Sequence, residues 1–443
     1  METLKNIVMD LFYTPPEYVA GLLASLTILT LATWVSYQRL FNPLSRVPGP
    51  FFASLTTLWL VQRMRRLNWH KQEAQLYKKY GPVVRISPNE VALEDPSMLK
   101  VIYGAGSKFV KSEYYGEAEK TCDIANDLIR TTQIDMKKYR VQRRTIGHVY
   151  STGSIKILES RADATLHYAV DRIRRLEGEE FNVTQLSGYL AAGKYNARRS
   201  MPVEGKERLQ PDLCNKLLHL HETNSDFIEG WLKSMTMTNL GAGVDTIQIS
   251  LGYMLAEAAA EPVQARIHAE LDTARSSWTT ADLPSYEDIK KLPYLQACIK
   301  ESMRLHPVVG RTLPRVVPEG GMEIDGYYLP AKTVVGMNPY IIQKDRKIFG
   351  ADADMFMPER WLAADQERIS QMERSMLIFG GDSRSCPGKY VAEMVLSKAF
   401  ATLLDRFHFT LTTKPEDFQE ESRFILIAEN LMMKAEPRLR KET

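Results

Sequence analysis

The pattern of apolar and polar positions changes period several times along this chain, and each change predicts an element. From Tyr18 to Gln38 about 21 residues carry no charge and are mostly apolar. At ~1.5 Å per residue a helix of that length spans roughly 31 Å, one bilayer core. Tyr18, Trp34 and Tyr37 stand near its ends, where amphipathic rings sit at membrane interfaces. Pro43, Pro48, Gly49 and Pro50 then form a stiff, non-helical joint. Tyr80–Pro88 alternates between turn residues and predicts a strand, and Glu90–Leu93 predicts another. A basic helix is predicted over Asp135–Tyr150 and an amphipathic one over Ile155–Leu176. A long apolar helix with a Gly-rich middle runs from Ser225 to about Glu257. Another covers Leu292–His306 and is stopped by Pro307. Short strands follow around Glu323–Tyr328 and Thr333–Met337. No repeat of about 20–50 residues is visible. The predicted class is mainly α with minor β.

Composition alters this picture little. The 443 residues are 44% hydrophobic and 25% charged, as in a globular protein with a sizeable core. That length leaves room for two or three domains or one large one. A net charge of +3 is too slight to argue for a nucleic-acid partner. Cys122, Cys214, Cys298 and Cys386 are scattered, so neither a disulfide framework nor a zinc ribbon is indicated, and a reducing compartment fits. The apolar stretch could be a secretory signal, a buried core helix or an uncleaved anchor. Lys5 faces Glu2, Asp10 and Glu17 before it, and no clear small-residue cleavage site follows, which favours the anchor. Arg39, Arg46, Arg63, Arg65, Arg66 and Lys71 come after it, and the positive-inside rule puts the bulk of the chain in the cytosol. The sequon Asn182-Val-Thr184 would then go unused.

Four elements carry candidate chemistry. Ala242-Gly243-Val244-Asp245-Thr246 lies in the long apolar helix. An acid there is costly unless it meets water or a ligand, and small residues before it let something large approach the backbone. Thr246 could hold water or oxygen while Asp245 relays protons. Alternatively the hydroxyl bonds back to its own helix and Asp245 sits at a helix edge. Gly241-Ala-Gly243 lacks a preceding strand and a third glycine, which excludes a dinucleotide fingerprint. Glu301 and Arg304, at i and i+3, share a helix face and can pair, as surface decoration or as part of something buried. Arg360, in Phe356-Met-Pro358-Glu359-Arg360-Trp361, could complete a buried three-residue lock. Cys386, in Phe379-Gly-Gly-Asp-Ser-Arg384-Ser-Cys386-Pro-Gly388, reads as a thiolate held out to a metal, the proximal-ligand pattern of haem iron.

In this order the four motifs resemble the cytochrome P-450 superfamily of haem-thiolate monooxygenases, from the anchor to the C-terminus except for one interval. The likeness is to microsomal enzymes of filamentous fungi, and Asn239–Ile247 resembles the pisatin-demethylase-like group. The resemblance implies haem b as cofactor, with Cys386 as axial iron ligand and Phe379 packed beside the sulfur. It implies propionate contacts from Arg384, Arg315, Arg143 and Tyr139, although Tyr139 could equally be a core aromatic. For Arg140 and Arg144 it leaves a solvated face or a reductase-docking patch. It implies Asp245 and Thr246 as a proton relay and Glu301, Arg304 and Arg360 as the structural lock. It assigns substrate contact to roughly Lys108–Ile134, Thr238–Thr246, Val308–Leu313 and Phe424–Leu431. The implied partners are an NADPH-dependent reductase, O2, an apolar small molecule and membrane lipid. The implied layout is a lumenal segment 1–17, an anchor 18–38, a Pro-rich hinge 39–50 and a haem domain 51–443, single-pass in the endoplasmic reticulum membrane.

The sequence also departs from the pattern. Asp382 replaces a usual Gly in the Cys loop, Ile247 a usual second hydroxyl residue, and Gln343-Lys-Asp345 a usual His-Arg-Asp. The interval 181–225 is atypically short. Its about 44 residues could form at most two short helices, at ~1.5 Å per residue, where the family has several. Ala191–Arg208 reads as a polar loop. Part of the helical roof over the substrate pocket therefore looks missing, and the face of the long helix is expected to sit partly in water. The alternative function is a truncated, catalytically impaired haem-binding membrane protein from a missing exon or a splice form.

Overall fold

A computed structural model of the chain describes residues 15–115, 136–188, 213–278, 282–381 and 384–438. The first helix runs Pro16–Ser36 and continues through one π-helical turn, Tyr37–Phe41. It is therefore longer than Tyr18–Gln38. Pro16 at its first turn costs no hydrogen bond, because that N–H has no helical partner anyway. None of its residues is buried from Pro16 to Ser36. Thr27, Thr30 and Thr33 donate to the carbonyls of Leu23, Leu26 and Leu29 at 2.7, 2.7 and 2.8 Å. These three threonine hydroxyls are thus satisfied inside the helix, as a hydrocarbon surrounding would require.

The remainder is helical around one main core. The long helix Glu229–Ala258 packs its C-terminal half against the helices Pro293–Leu305 and Lys389–Arg406. Ile249, Leu251, Met254 and Leu255 meet Leu295, Ile299, Phe400 and Leu404 there. A five-stranded sheet forms the second layer, in the order Val83–Ser87, Glu90–Leu93, Val334–Gly336, Arg315–Val316, Val110–Lys111. Glu90 pairs in parallel with Val334, while Arg315 faces Val335 on one side and Lys111 on the other, both antiparallel.

Several boundaries differ from expectation for local reasons. Ile155–Leu176 is two helices, Thr152–Lys156 and Glu159–Arg174. Ser151 caps the first, and a tightened turn, Leu158 N to Ile155 O at 2.8 Å, shifts the axis between them. The long helix starts at Glu229, because the Asn224 side chain accepts from Asp226 N and holds a turn there. Glu323–Tyr328 resolves into the hairpin Met322–Ile324 and Tyr327–Leu329, joined through Asp325 and Gly326, both at positive φ. Asp-Gly is the dipeptide that such a turn demands. The helix Leu213–Thr223 was not anticipated. Its Leu213, Leu217 and Leu220 form one stripe against Val149, Tyr150, Phe227 and Met235. The expected loop Ala191–Arg208 lies outside the described residues, as does Asp382.

Candidate haem site

The support beneath the site is a fully buried charge network. Glu301 and Arg304 are both 0% exposed. Arg304 grips Glu301 with two bonds, Nε to Oε2 at 2.9 Å and Nη2 to Oε1 at 2.8 Å. Arg360 Nε adds a third at 2.9 Å, Trp361 Nε1 a fourth at 2.8 Å and Met357 N a fifth at 3.0 Å. The spare donors of Arg304 go to the carbonyls of Gln343, Ala353 and Met355. Those of Arg360 reach Phe349 and Asp352. Burial pushes the Glu301 carboxyl up, but the hydrogen bond and charge of Arg304, with Met357 N and Arg360, outweigh it and hold the group below the usual range. The expected three-residue lock is therefore present, with Trp361 as an unanticipated fourth member. Gln343, standing for the family's His, is satisfied throughout. Its amide donates to the carbonyls of Met303 and Arg304, and its Oε1 accepts from Leu377 N at 2.9 Å. Leu377 opens the Cys386 loop, so Gln343 ties the lock to that loop.

The loop doubles back on itself, with Cys386 N donating to Phe379 O at 2.7 Å. Gly380 adopts φ +71°, a conformation that glycine enters without strain. At Gly381 a Cβ would fall 2.4 Å from Tyr103 O, so no side chain fits. Phe379 is packed on the edge of the main core. Cys386 itself is exposed. The helix Lys389–Arg406 starts three residues later with Gly388 as its N-cap, and a Cβ on Gly388 would lie 3.8 Å from the sulfur. A helix N-terminus so close favours negative charge on that sulfur.

Cations converge beside the loop. Arg143 Nη2 lies 3.5 Å from Ser385 Oγ, while its buried Nη1 has no hydrogen-bond partner among the described residues. The Arg384 guanidinium stacks 3.9 Å over the Tyr139 ring, which is buried. Arg315 is buried and donates to Tyr115 Oη at 3.3 Å. Lys111 faces Arg315 directly across the strand ladder, and its ammonium lies 4.6 Å over the Tyr115 ring. Burial, with the charges of Arg315 and Arg384, pushes the Lys111 ammonium down to about 6. Burial likewise brings Arg384 down to about 10, still protonated at neutral pH. Two cations opposite each other in a ladder repel. Among the described residues no carboxylate contacts Arg143 or Arg315. A planar dicarboxylate with a soft central metal fits this donor set: a thiolate, three arginine forks and tyrosine hydroxyls. The sequence placed Lys111 and Tyr115 only within the substrate-contact stretch Lys108–Ile134, not beside Arg315, and gave Ser385 no role. No local motif marks them, since Lys111 meets Arg315 only through the sheet.

Among the described residues an added Cβ at Gly241 or Gly243 would meet nothing within 4 Å, which leaves an open stretch along the long helix. Asp245 is exposed, and Thr246 Oγ1 donates back to Ala242 O at 2.7 Å. No hydrogen bond or ion pair between described residues links Asp245 or Thr246 to the Cys386 loop. The structure thus gathers Cys386, Phe379, Arg384, Tyr139, Arg143 and Arg315 in one region, while no described contact joins Asp245 and Thr246 to it.

A cysteine near a helix N-terminus, beside one buried and two half-buried arginines, suits a haem-thiolate site. A family model described as cytochrome P-450 matches residues 194–435. The chain is 29% identical to the cytochrome P-450 monooxygenase sdnT of Sordaria araneosa, over 91% of this chain and 92% of that one. It is 28% identical to the monooxygenase gsfF of Penicillium aethiopicum, over 89% and 94%, and 27% identical to cicH of Emericella nidulans, over 91% and 96%. The chain belongs to the cytochrome P-450 family and is a monooxygenase-class enzyme.

Proposed function

We propose that this chain is a membrane-anchored haem monooxygenase that inserts one atom of O2 into an apolar small molecule in fungal secondary metabolism. Electrons come from an NADPH-dependent reductase, and the enzyme sits on the endoplasmic reticulum membrane with its haem domain in the cytosol. The observation that carries this reading is Cys386 at the start of the Lys389–Arg406 helix, flanked by Arg143, Arg315 and Arg384. Bound haem supplies the redox chemistry that splits oxygen, and a thiolate ligand pushes electron density toward that cleavage. Cys386 would hold the iron, with Phe379 beside the loop as part of its apolar surroundings. Arg143, Arg315, Arg384 and Tyr139, with Lys111, would hold the propionates. Asp245, open to solvent, picks up protons. Thr246 passes them inward by turning its hydroxyl from Ala242 O toward the site. Arg140 and Arg144 project from the exposed side of the basic helix, and their charge suits an acidic reductase surface. The Pro16–Phe41 helix, long and apolar enough to cross a membrane, supports the anchor.

The reduced carbon-monoxide difference spectrum tests the ligand. Wild type shows a thiolate-type Soret band and Cys386→Ala shows none; a band that survives in the variant sinks the assignment. Thr246→Ala keeps the band but diverts electrons to peroxide, and unchanged coupling removes Thr246 from the relay.

One pair of observations favours a second reading, a haem protein with an incomplete roof. Met237 and Leu240 on the long helix are 53% and 37% exposed. The alignment to sdnT runs over 516 positions, whereas 91% of 443 residues is about 403, so about 113 positions belong to the relative alone. Coding sequence missing near residues 184–200 would account for both. A full-length transcript that encodes this chain without extra codons defeats that reading, as does substrate turnover by the purified chain.

A further inference from the structure

Arg311 is a buried cation whose counter-charge the described residues do not supply. It is 9% exposed, and its Nε is buried with no hydrogen-bond partner among them. Its guanidinium lies 4.1 Å over the Tyr114 ring, a contact that brings no negative charge. Arg304, also buried, directs its fork to Glu301, whereas no carboxylate among the described residues pairs with Arg311. Two carboxyls stand near enough to feel its charge, and neither answers it. The oxygens of Glu73 are taken by Thr312 Oγ1 at 2.6 Å, Asn338 Nδ2 at 2.8 Å and Tyr77 Oη at 3.2 Å. Burial pushes the Glu90 carboxyl up to about 7 in spite of Arg311, where a contact ion pair would hold it low. A buried charge without a partner is costly, and a ligand of opposite charge removes that cost.

The backbone on both sides of Arg311 is clamped. Gly310 O accepts from Asn338 Nδ2 at 3.3 Å and from Ser422 Oγ at 3.0 Å. Thr312 is tied to Glu73, and Leu313 N donates to Met337 O at 3.0 Å. A Cβ on Gly310 would collide with the Leu426 side chain, so the loop is pressed against the hairpin Glu420–Ser422 and Leu426–Ala428. A fork presented from so fixed a loop loses little freedom when it closes on a carboxylate. Its place is beside the haem site. Tyr114 and Tyr115 are neighbours with rings 5.4 Å apart, edge to face. Tyr115 accepts from Arg315 and Tyr114 underlies Arg311, so adjacent tyrosines carry the two arginines. Arg311 precedes Arg315 by four residues, at most ~14 Å of chain, which is within the length of a dodecanoyl chain.

We propose that Arg311, stacked on Tyr114, anchors a carboxylate of the substrate, so that this chain takes apolar acids in preference to neutral molecules of the same shape. The inference rests on the reading of the chain as a haem monooxygenase with Arg315 at a propionate, and it names the substrate class which that reading leaves open. The acid group lies in the fork of Arg311, and the apolar remainder extends toward the ring that Arg315 holds. A hydrogen bond to a charged group is strong enough to favour an acid over the matching alcohol about tenfold. A neutral substrate leaves Arg311 buried and unpaired, which selects against it. An arginine that acted only as a distant counter-charge for Glu73 and Glu90 would support folding and give no such selection.

Ligand-induced shifts of the Soret band in the haem-loaded, full-length chain test this. Two pairs of probes differ only at the acid or alcohol end: dodecanoic acid with dodecanol, and cinnamic acid with cinnamyl alcohol. In at least one pair wild type binds the acid about tenfold tighter than the alcohol. Arg311→Gln weakens that acid about tenfold and leaves the alcohol unchanged. Arg311→Lys keeps the charge but not the fork, and recovers only part of the preference. Equal binding of acid and alcohol by wild type, no shift with either pair, or equal weakening of both by Arg311→Gln each overturn the proposal. Haem lost from a folded Arg311→Gln variant puts the arginine on a propionate and overturns it as well. If Arg311→Gln does not fold, Arg311→Lys decides, and an undiminished acid preference there overturns the proposal. A wild-type chain without the thiolate-type carbon-monoxide band overturns the haem reading and this inference with it; a chain with the band and no acid preference overturns this inference alone.

Discussion

The two ends of the Glu229–Ala258 helix live in different surroundings. At the C-terminal end Leu251 is 0% and Met254 1% exposed, whereas Met237, near the other end, is 53% exposed. Polar groups follow the same division. Tyr253 donates to Glu420 at 2.5 Å and stacks 4.2 Å from the His306 ring, which bonds Glu257 at 2.6 Å. Midway along the helix Thr246 satisfies its hydroxyl on its own backbone, and Asp245 meets solvent. One continuous helix is thus a buried beam over its last turns and opens to solvent before them. The contrast locates stability in the beam and the lock, and the proposed chemistry in the Cys386 loop and along the open stretch of the long helix.

The largest effect that sharpens this contrast belongs to the lock. Glu301→Gln strands Arg304 and Arg360 against a neutral amide, and breaking such a buried pair costs about 3–5 kcal/mol. The urea midpoint should fall accordingly; a loss below about 1 kcal/mol would mean that these charges are not effectively desolvated. Next comes the beam: Leu251→Ala should cost about 2–5 kcal/mol in the same assay, because it opens a cavity in the main core.

A smaller effect tests the polar end of the beam through pH. Burial pushes the Glu420 carboxyl up, but hydrogen bonds from His70 and Tyr253 and the charges of His70 and His306 bring it down to about 2, from an ordinary 4.5. A depressed folded value means stability that is present above the unfolded value and lost as pH falls toward the folded one. The window is therefore pH 4.5 down to about 2. The loss is roughly 3 kcal/mol when complete. Glu90 works in the opposite sense, since burial pushes its carboxyl up to about 7. The difference between wild type and Glu420→Gln in unfolding titrations isolates the Glu420 limb, and identical acid limbs would remove it from the beam's support.

Local motifs made the proximal side legible in the sequence. Glu301 and Arg304 are one turn apart, Arg360 sits in its own short motif, and the Cys386 loop is contiguous, so a linear reading finds all three. The apolar N-terminal helix was legible from length and lack of charge alone. What escaped were partners joined only by tertiary structure. Lys111 and Arg315 meet through the sheet, Arg85 reaches Gln38 from another strand, and Gln343 bridges the lock to Leu377. The helix Leu213–Thr223 escaped for a different reason: its stripe of three leucines is short and bounded by polar sequence.

The smallest predicted effect bears most directly on the comparison. Leu240 stands on the same helix as Leu251 and is the same residue type, so only surroundings distinguish them. Leu240 at 37% and Met237 at 53% exposure keep only part of the burial that Leu251 has, so Leu240→Ser and Met237→Ser should each cost about 1 kcal/mol in the urea assay. If instead either costs about 2 kcal/mol or more, as a core position would, the N-terminal end is covered in the folded protein. The helix would then be a beam along its whole length, and the case for an incomplete roof would lose its structural support.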